Sequence, residues 1–491
     1  MNYERLSALD SSFLVQEGRS TYMHIACTAI LESGSLGAPG GGIEIDRLRD
    51  YVGSRLHLLP RYRQRLGHVP ITNDPIWIDD LRFDIGYHVR HTSLPRPGND
   101  AQLRRLCARI LERHLDRTRP LWECWFVEGL VDGRFAMIVK VHHCMVDGVA
   151  GVDLLAALLT TEPTDRIEPQ QPWSPQPAPG DVELLRGEAS RRALSGLRAL
   201  GAVGRAVRET TPLAASVRST AAGLVSLARS SARAAGPMPF NHPIGPHRDL
   251  EWLDVGFDRV KAIRKTLGGT VNDIVLAVVA GAMRRYLEDR GIDSWSSSLR
   301  VAVPVNLRAA DQHDGRGNRV SAWLADLPVG EHDALERLAA VRRATAKLKD
   351  DHQAEAARTL TEAASWTGSG MLGVAMRALS RARAYNLVVT NVPGPPVPLY
   401  LLDARIASIF PHLPLFENQG LGIALLSYAG RLYWGLTADW ELVPDLVALR
   451  TAVMASLAEL YTHAWEPTSP VVESRSGSHA TYGSEHAPNV R

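Results

Sequence analysis

Between Pro169 and Gly180 the chain reads PQQPWSPQPAPG, with prolines at 169, 172, 175, 177 and 179 and a further one at 163. Proline has no backbone N–H and a locked φ, so such a run neither continues a helix nor sits in the middle of a sheet. It favours an extended connector. A chain of 491 residues exceeds what one ordinary core serves, and this break predicts where it divides. The expected units are a first β/α half over 1–165, a linker and crossover over 166–248, and a second β/α half over 249–465. A polar tail over 466–491, rich in Ser, Gly, His and Pro, is expected to be disordered.

Both large units alternate short β-rich runs with amphipathic stretches, which predicts the α/β class. In the first, Tyr22–Leu31 reads as a strand, and Glu44–Leu56 and Asp100–Leu115 as helices. Leu121–Leu130 and Arg134–His142 read as strands joined at Val131-Asp132-Gly133, a tight-turn signal. Gly148–Leu159 has the spacing of a buried helix. In the second, strands are expected at Ser298–Pro304, Val320–Asp326, Leu387–Asn391, Gly422–Tyr428 and Arg431–Ala438.

Several classes are disfavoured. A net charge of +2 gives no basic field, so nucleic acid is not expected as a partner. Cys27, Cys107, Cys124 and Cys144 form no CxxC pair, which argues against a zinc site or a disulfide framework. The first residues show no basic region leading into an apolar one, and the longest apolar stretch, Ile274–Met283, is about half a bilayer crossing. A cytoplasmic location is therefore expected. Between Asp181 and Gly236 nine arginines face four acids on an Ala/Leu-rich helical pattern. Two readings stay open for this segment: a solvated crossover, or an interfacial helix lying on an anionic membrane or lipid-droplet surface.

The sharpest chemical signal is Val141-His142-His143-Cys144-Met145-Val146-Asp147-Gly148, at the end of a predicted strand and the start of a helix. Strand ends feeding loops are where α/β folds place reacting groups. Successive side chains on a strand leave opposite faces, so one histidine reaches a cleft while the other packs inward, and the two do not converge on a metal. A neutral imidazole can take the proton of an alcohol. Asp147 can orient local backbone or a buried arginine, and Gly148 leaves space or permits a positive φ. Asn272 and Asp273 open an apolar helix, either as an ordinary cap or as walls of the acceptor side of a site. Thr390 and Asn391 end a strand, either as donors to an oxyanion or as a plain corner. Pro120-Leu121-Trp122 reads as a packed corner, and Trp434 and Trp440 as core or tunnel lining.

HHCMVDG matches the HHxxxDG signature of the coenzyme A-dependent acyltransferase superfamily, which includes chloramphenicol acetyltransferase and peptide-synthetase condensation domains. Further runs carry a narrower resemblance: Leu6-Ser7-Ala8-Leu9-Asp10, Pro120-Leu121-Trp122, Asn272-Asp273, Pro304-Val305-Asn306-Leu307-Arg308, Gly317-Asn318 and Asn391-Val392-Pro393-Gly394-Pro395. In this order they resemble the bacterial wax ester synthase/diacylglycerol acyltransferase family, its mycobacterial triacylglycerol synthases in particular. The resemblance covers residues 3–463, least clearly over 166–236. It implies two chloramphenicol-acetyltransferase-like domains, each a mixed sheet with flanking helices, and a tunnel between them. It also implies transfer of a fatty acyl group from acyl-CoA, a substrate rather than a cofactor, to diacylglycerol or, second, a long-chain alcohol. His143 corresponds to the catalytic base, His142 to its structural neighbour, and Asp147 to the aspartate that holds the loop. Neither a metal nor an acyl-enzyme on Cys144 is implied.

Overall fold

The computed structural model describes residues 3–37, 42–145, 153–192, 194, 235–295, 299–306, 320–350 and 383–465. The first half runs β1 (Glu4–Arg5), a helix at Ala8–Gln16, β2 (His24–Leu31), a helix at Ile45–Arg55, β3 (Gln64–His68), β4 (Pro75–Asp79) and β5 (Val89–Ser93). A helix at Asp100–Leu111, β6 (Trp122–Glu128), β7 (Phe135–His142) and a helix at Asp153–Leu158 follow. The second half opens with β8 (Arg248–Gly256), helices Phe257–Leu267 and Val271–Glu288, β9 (Leu299–Asn306), β10 (Val320–Leu327) and a helix at Ala334–Asp350. It ends with β11 (Leu387–Pro393), β12 (Tyr400–Leu401), β13 (Ala404–His412), β14 (Leu421–Tyr428), β15 (Arg431–Asp439) and the helix Leu446–Trp465.

These strands form two six-stranded sheets, ordered β12-β13-β2-β7-β6-β5 and β10-β9-β11-β14-β15-β8, and a small sheet β1-β4-β3. Both large sheets are mixed: β5 runs parallel to β6, and β11 runs parallel to β9 and β14, among otherwise antiparallel pairs. Every residue of β7 is buried, Lys140 and His142 included, as is usual of a central strand covered on both faces. The turn before it puts Asp132 (φ 62°) and Gly133 (φ 67°) in the left-handed region, which is why Asp-Gly stands there.

One boundary differs from the sequence expectation. β12 and β13 lie within 249–465 yet pair with the first sheet, β13 running antiparallel to β2 from Ile406↔Leu31 to His412↔Ala26. Strand pairing between residues so far apart leaves no local trace in sequence. The crossing strand delivers Ile406, Ile409 and Phe410 to the first core, and Phe410 stacks on Trp252 at 4.9 Å. Gly435 on β15 allows the passage, because an added Cβ would lie 1.7 Å from the Pro411 carbonyl oxygen. Arg104 and Glu251 (3.1 Å), and Tyr22 Oη donating to the Pro246 carbonyl (3.1 Å), tie the halves further.

The second core wraps the Val271–Glu288 helix, which is buried over most of its length. No single described helix is long and apolar enough to cross a membrane. The proline run has no regular structure and lies on the first half, Trp173 meeting Phe83 edge-on with the Arg63 guanidinium over its ring. Residues 181–192 are helical, and Leu184 packs with Val69, Ile76 and Ile78. Arg191 and Arg192 fold back onto the buried Glu188, which also takes Arg5. Most of the remaining Arg-rich segment and the tail lie outside the described residues. Trp434 is core, but Trp440 is 61% exposed and is not part of the core.

Candidate active site

The site begins with a helix cap. Ser7 accepts the Asp10 backbone N–H (3.0 Å) and donates its hydroxyl to the Asp10 carboxylate, which starts the Ala8–Gln16 helix. This is the physical content of the Leu6–Asp10 run. The helix carries Phe13 and, four residues on and therefore on the same face, Glu17. Phe13 stacks on the His143 ring at 3.8 Å with 22° between planes.

β7 delivers the histidines. The His142 N–H donates to the Leu121 carbonyl (2.9 Å) and the His143 N–H to the Met23 carbonyl (2.7 Å), so the chain leaves the sheet in a single tight turn over His143–Met145. The Leu121 contact gives Pro120-Leu121-Trp122 its role: Trp122 is fully buried, donates to the Tyr62 carbonyl and stacks on His88. His142 is 1% exposed, as is usual of a strand covered on both faces, while His143, in the turn beyond the strand, stays half-buried. Of the His143 ring, Nδ1 is enclosed and without a side-chain hydrogen-bond partner.

Behind His142 lies a polar cluster that the sequence reading missed. Cys144 donates its backbone N–H to His142 Nδ1 at 3.1 Å. Glu17 Oε1 stands 3.6 Å from His142 Nε2, 3.5 Å from His24 Nε2 and 3.3 Å from His114 Nδ1. Its Oε2 accepts from Arg117 Nε at 3.0 Å. Burial alone would raise the Glu17 pKa, yet the imidazoles of His142 and His24 outweigh it and hold the carboxyl well below the usual range. Burial pushes His24 down to about 3 and lowers His142 as well. A glutamate one helical turn after a phenylalanine was the available signal, but nothing local tied it to His24, His114 and His142 together.

Burial also pushes His143 down to about 4, opposed by its own backbone carbonyl and reinforced by His142. The ring is thus neutral at neutral pH and free to accept a proton. Burial raises the Cys144 thiol well above its ordinary value, the opposite of what a nucleophilic cysteine needs. Asp147 and Gly148 lie outside the described residues, as do Arg308, Gly317 and Asn318.

In the second half, Asn391 Nδ2 donates to Asn272 Oδ1 at 2.8 Å, joining the end of β11 to the start of the Val271–Glu288 helix. Asp273 is the reciprocal partner of a capping box. Its Oδ2 accepts from the Thr270 N–H (2.7 Å) and hydroxyl (2.8 Å), and its Oδ1 accepts from Thr345 (2.6 Å). Both carboxylate oxygens are therefore held in the helix start. Thr390 and Asn391 are consecutive on β11, so their side chains leave opposite faces and do not aim at one oxygen. Among the described residues no group of three or more His, Cys, Asp or Glu side chains is arranged to hold a metal ion.

Comparison with known proteins places this geometry. The wax ester synthase/diacylglycerol acyltransferase catalytic domain matches residues 6–275, and the C-terminal domain of the same family matches residues 316–461. A putative diacylglycerol O-acyltransferase of Mycobacterium tuberculosis H37Rv is 34% identical over 93% of this chain and 90% of its own length. A probable diacylglycerol O-acyltransferase of the same strain is 32% identical over 93% and 95%. Among solved structures, the wax ester synthase/diacylglycerol acyltransferase from Marinobacter aquaeolei VT8 superposes with a TM-score of 0.68, 24% identity, and 94% and 100% coverage. The first condensation domain of the calcium-dependent antibiotic synthetase does so at 0.57 and 15% identity, over 96% of this chain and 98% of its own. These structures share the two-domain mixed α/β fold.

Proposed function

This chain belongs to the wax ester synthase/diacylglycerol acyltransferase family, and on that premise we propose that it moves a long-chain acyl group from acyl-CoA to diacylglycerol, with His143 as the base. The observation that carries the role of His143 is its setting: a neutral, half-buried imidazole in the turn that ends a fully buried strand, stacked on Phe13. Nε2 takes the acceptor hydroxyl proton as that oxygen attacks the thioester carbonyl. The tetrahedral intermediate collapses, the C–S bond breaks, and the imidazolium returns its proton to the CoA thiolate. Every atom in this sequence comes from acyl-CoA, the alcohol or His143, so acyl-CoA acts as substrate and no cofactor is invoked. The relatives named diacylglycerol O-acyltransferases support diacylglycerol as the acceptor. Such an acceptor resides in lipid, so we place the enzyme against a membrane or droplet surface on the cytoplasmic side.

The test is acyl transfer by purified protein from labelled palmitoyl-CoA to dioleoylglycerol and, separately, to hexadecanol. Labelled triacylglycerol that disappears in His143→Ala supports the assignment. Wax ester as the dominant product would move the acceptor to long-chain alcohols, and no transfer to either would overturn it.

A further inference from the structure

The Leu446–Trp465 helix breaks the rule for a surface helix. Its inner face, including Leu446, Leu449, Val453, Leu457 and Leu460, fills the second core. A helix with one face in the core ordinarily turns charges to the other. Here the 20 residues contain one arginine and one glutamate, and both are turned into the body: Arg450 to Glu251 at 3.3 Å, Glu459 to Arg337 at 2.7 Å and to Arg285 at 3.3 Å. The outer face carries Val447, Met454 and Trp465, exposed by 51%, 42% and 74%, with Ala458 between them. Thr451 and Thr462 are exposed on the same face, but their hydroxyls are taken up by the helix itself. Thr451 donates its hydroxyl to the Val447 carbonyl and Thr462 to the Ala458 carbonyl, each at 3.0 Å, satisfying the polar group within the helix.

Cations flank this uncharged face. The Phe257–Leu267 helix packs beside it, with the Arg259 guanidinium 5.5 Å from the Tyr461 ring and Tyr461 stacked toward Trp465. Arg259, Lys261, Arg264 and Lys265 are exposed, and among the described residues none pairs with a carboxylate. An exposed apolar strip bordered by unpaired cations is complementary to one class of partner, an anionic lipid surface: the apolar side chains enter the headgroup–acyl boundary and the cations meet the headgroups. A second copy seated on this face by two-fold symmetry would bring the same cations against each other.

We propose that the Leu446–Trp465 and Phe257–Leu267 helices together form the surface by which the protein docks on anionic phospholipid. This inference rests on the acyltransferase reading for its purpose, since a lipid-dissolved acceptor must be reached, but not for its test. This surface is separate from Arg191 and Arg192 of the Arg-rich crossover, which are occupied by Glu188.

The test is sedimentation with vesicles of phosphatidylcholine, with and without phosphatidylglycerol, independent of turnover. The wild-type protein should bind the anionic vesicles more tightly. Lys261→Gln/Arg264→Gln/Lys265→Gln should weaken that binding about 10-fold or more and remove the preference for phosphatidylglycerol. Met454→Ser/Trp465→Ser should weaken binding to both vesicle types, and circular dichroism should show the fold retained, because both side chains are exposed. Arg191→Gln/Arg192→Gln should bind as wild type. Turnover of dioleoylglycerol in vesicles should fall with vesicle binding, while turnover of a short soluble alcohol should hold. Unchanged binding in both of the first two variants would overturn the proposal. So would a shift to smaller size on gel filtration with unchanged vesicle binding, which would assign the face to a second copy. An enzyme that binds vesicles as described but transfers no acyl group would instead overturn the functional reading alone.

Discussion

Glu17 Oε1 lies 3.6 Å from His142 Nε2, and the other nitrogen of that ring accepts the Cys144 amide at 3.1 Å. An acceptor at Nδ1 requires the neutral ring to carry its proton on Nε2, the atom facing the carboxylate. Although 3.6 Å is beyond a hydrogen bond, the negative charge of Glu17 favours a proton at Nε2, and so the tautomer that holds the Cys144 amide and the turn that presents His143. It acts through His142 and touches no reacting atom, which makes it a positioning residue. Glu17→Gln should lower kcat by about 10–100-fold through misplacement of His143, with little change in KM for acyl-CoA. Glu17→Asp should recover part of the loss. A purely structural role would instead lower the melting temperature and the active fraction while leaving kcat per folded molecule intact.

The two histidines should separate cleanly. His143→Ala should lose about 10²–10⁴ in turnover with its circular dichroism and melting curve close to wild type, because the ring is half-buried and the backbone N–H that bonds to Met23 is kept. His142→Ala should cost less per folded molecule and more in stability, since it empties a sealed position between Glu17, His24 and the Cys144 amide. A dead His142→Ala alongside an active, folded His143→Ala would reverse the roles.

The elements that sequence foretold are those whose signals are local. β7 announces itself by the apolar run Phe135–Val139, its hairpin by Asp132-Gly133, and the linker by its prolines. The motif that carries the two histidines was equally legible, since HHCMVDG stands at the end of a predicted strand. What stayed hidden is non-local. β13 joins a sheet begun some 380 residues earlier, and its only sequence mark is Gly435, a glycine whose reason lies on another strand. Glu17 gathers His24, His114 and His142 from three separate segments. Asp273 could be read from sequence either as a cap or as a wall of the site, and only the positions of Thr270 and Thr345 show both of its oxygens occupied.

That occupancy makes a prediction. Asp273→Ala should destabilise the protein by about 1–2 kcal/mol, the range for losing a helix N-terminal cap, and should lower the melting temperature. Turnover per folded molecule should change less than in Asn391→Ala, whose amide joins β11 to the same helix start at Asn272. Equal kinetic losses at matched stability would place Asp273 in the acceptor site itself.

Stability should depend on pH in a direction set by the buried imidazoles. Burial pushes His24 and His412 down to about 3, and His88 and His143 down to about 4, from an ordinary value of 6.5. Between those values the unfolded chain binds protons that the native state refuses, so unfolding takes up protons and stability falls as pH drops from about 6.5 toward 3. Above 6.5 both states are neutral at these positions, and they contribute no slope. Glu17 acts in the same direction at lower pH: its folded pKa is depressed, so its contribution is present above the usual carboxylate range and lost on acidification. His412 allows a single-site check, because its Nε2 meets Thr28 Oγ1 at 3.0 Å and an amide can replace that bond. His412→Gln should melt like wild type at pH 8 and show a shallower acid slope, smaller by up to one proton. A slope identical to wild type would mean that His412 titrates alike in the folded and unfolded chains. The kinetic counterpart concerns His143, whose depressed pKa keeps the base neutral well below pH 7. kcat/KM should stay level from neutral pH down to near 5 and fall only as the ring takes its proton, and a limb at pH 6.5 would show that the working ring is far more solvated than its packing against Phe13 implies.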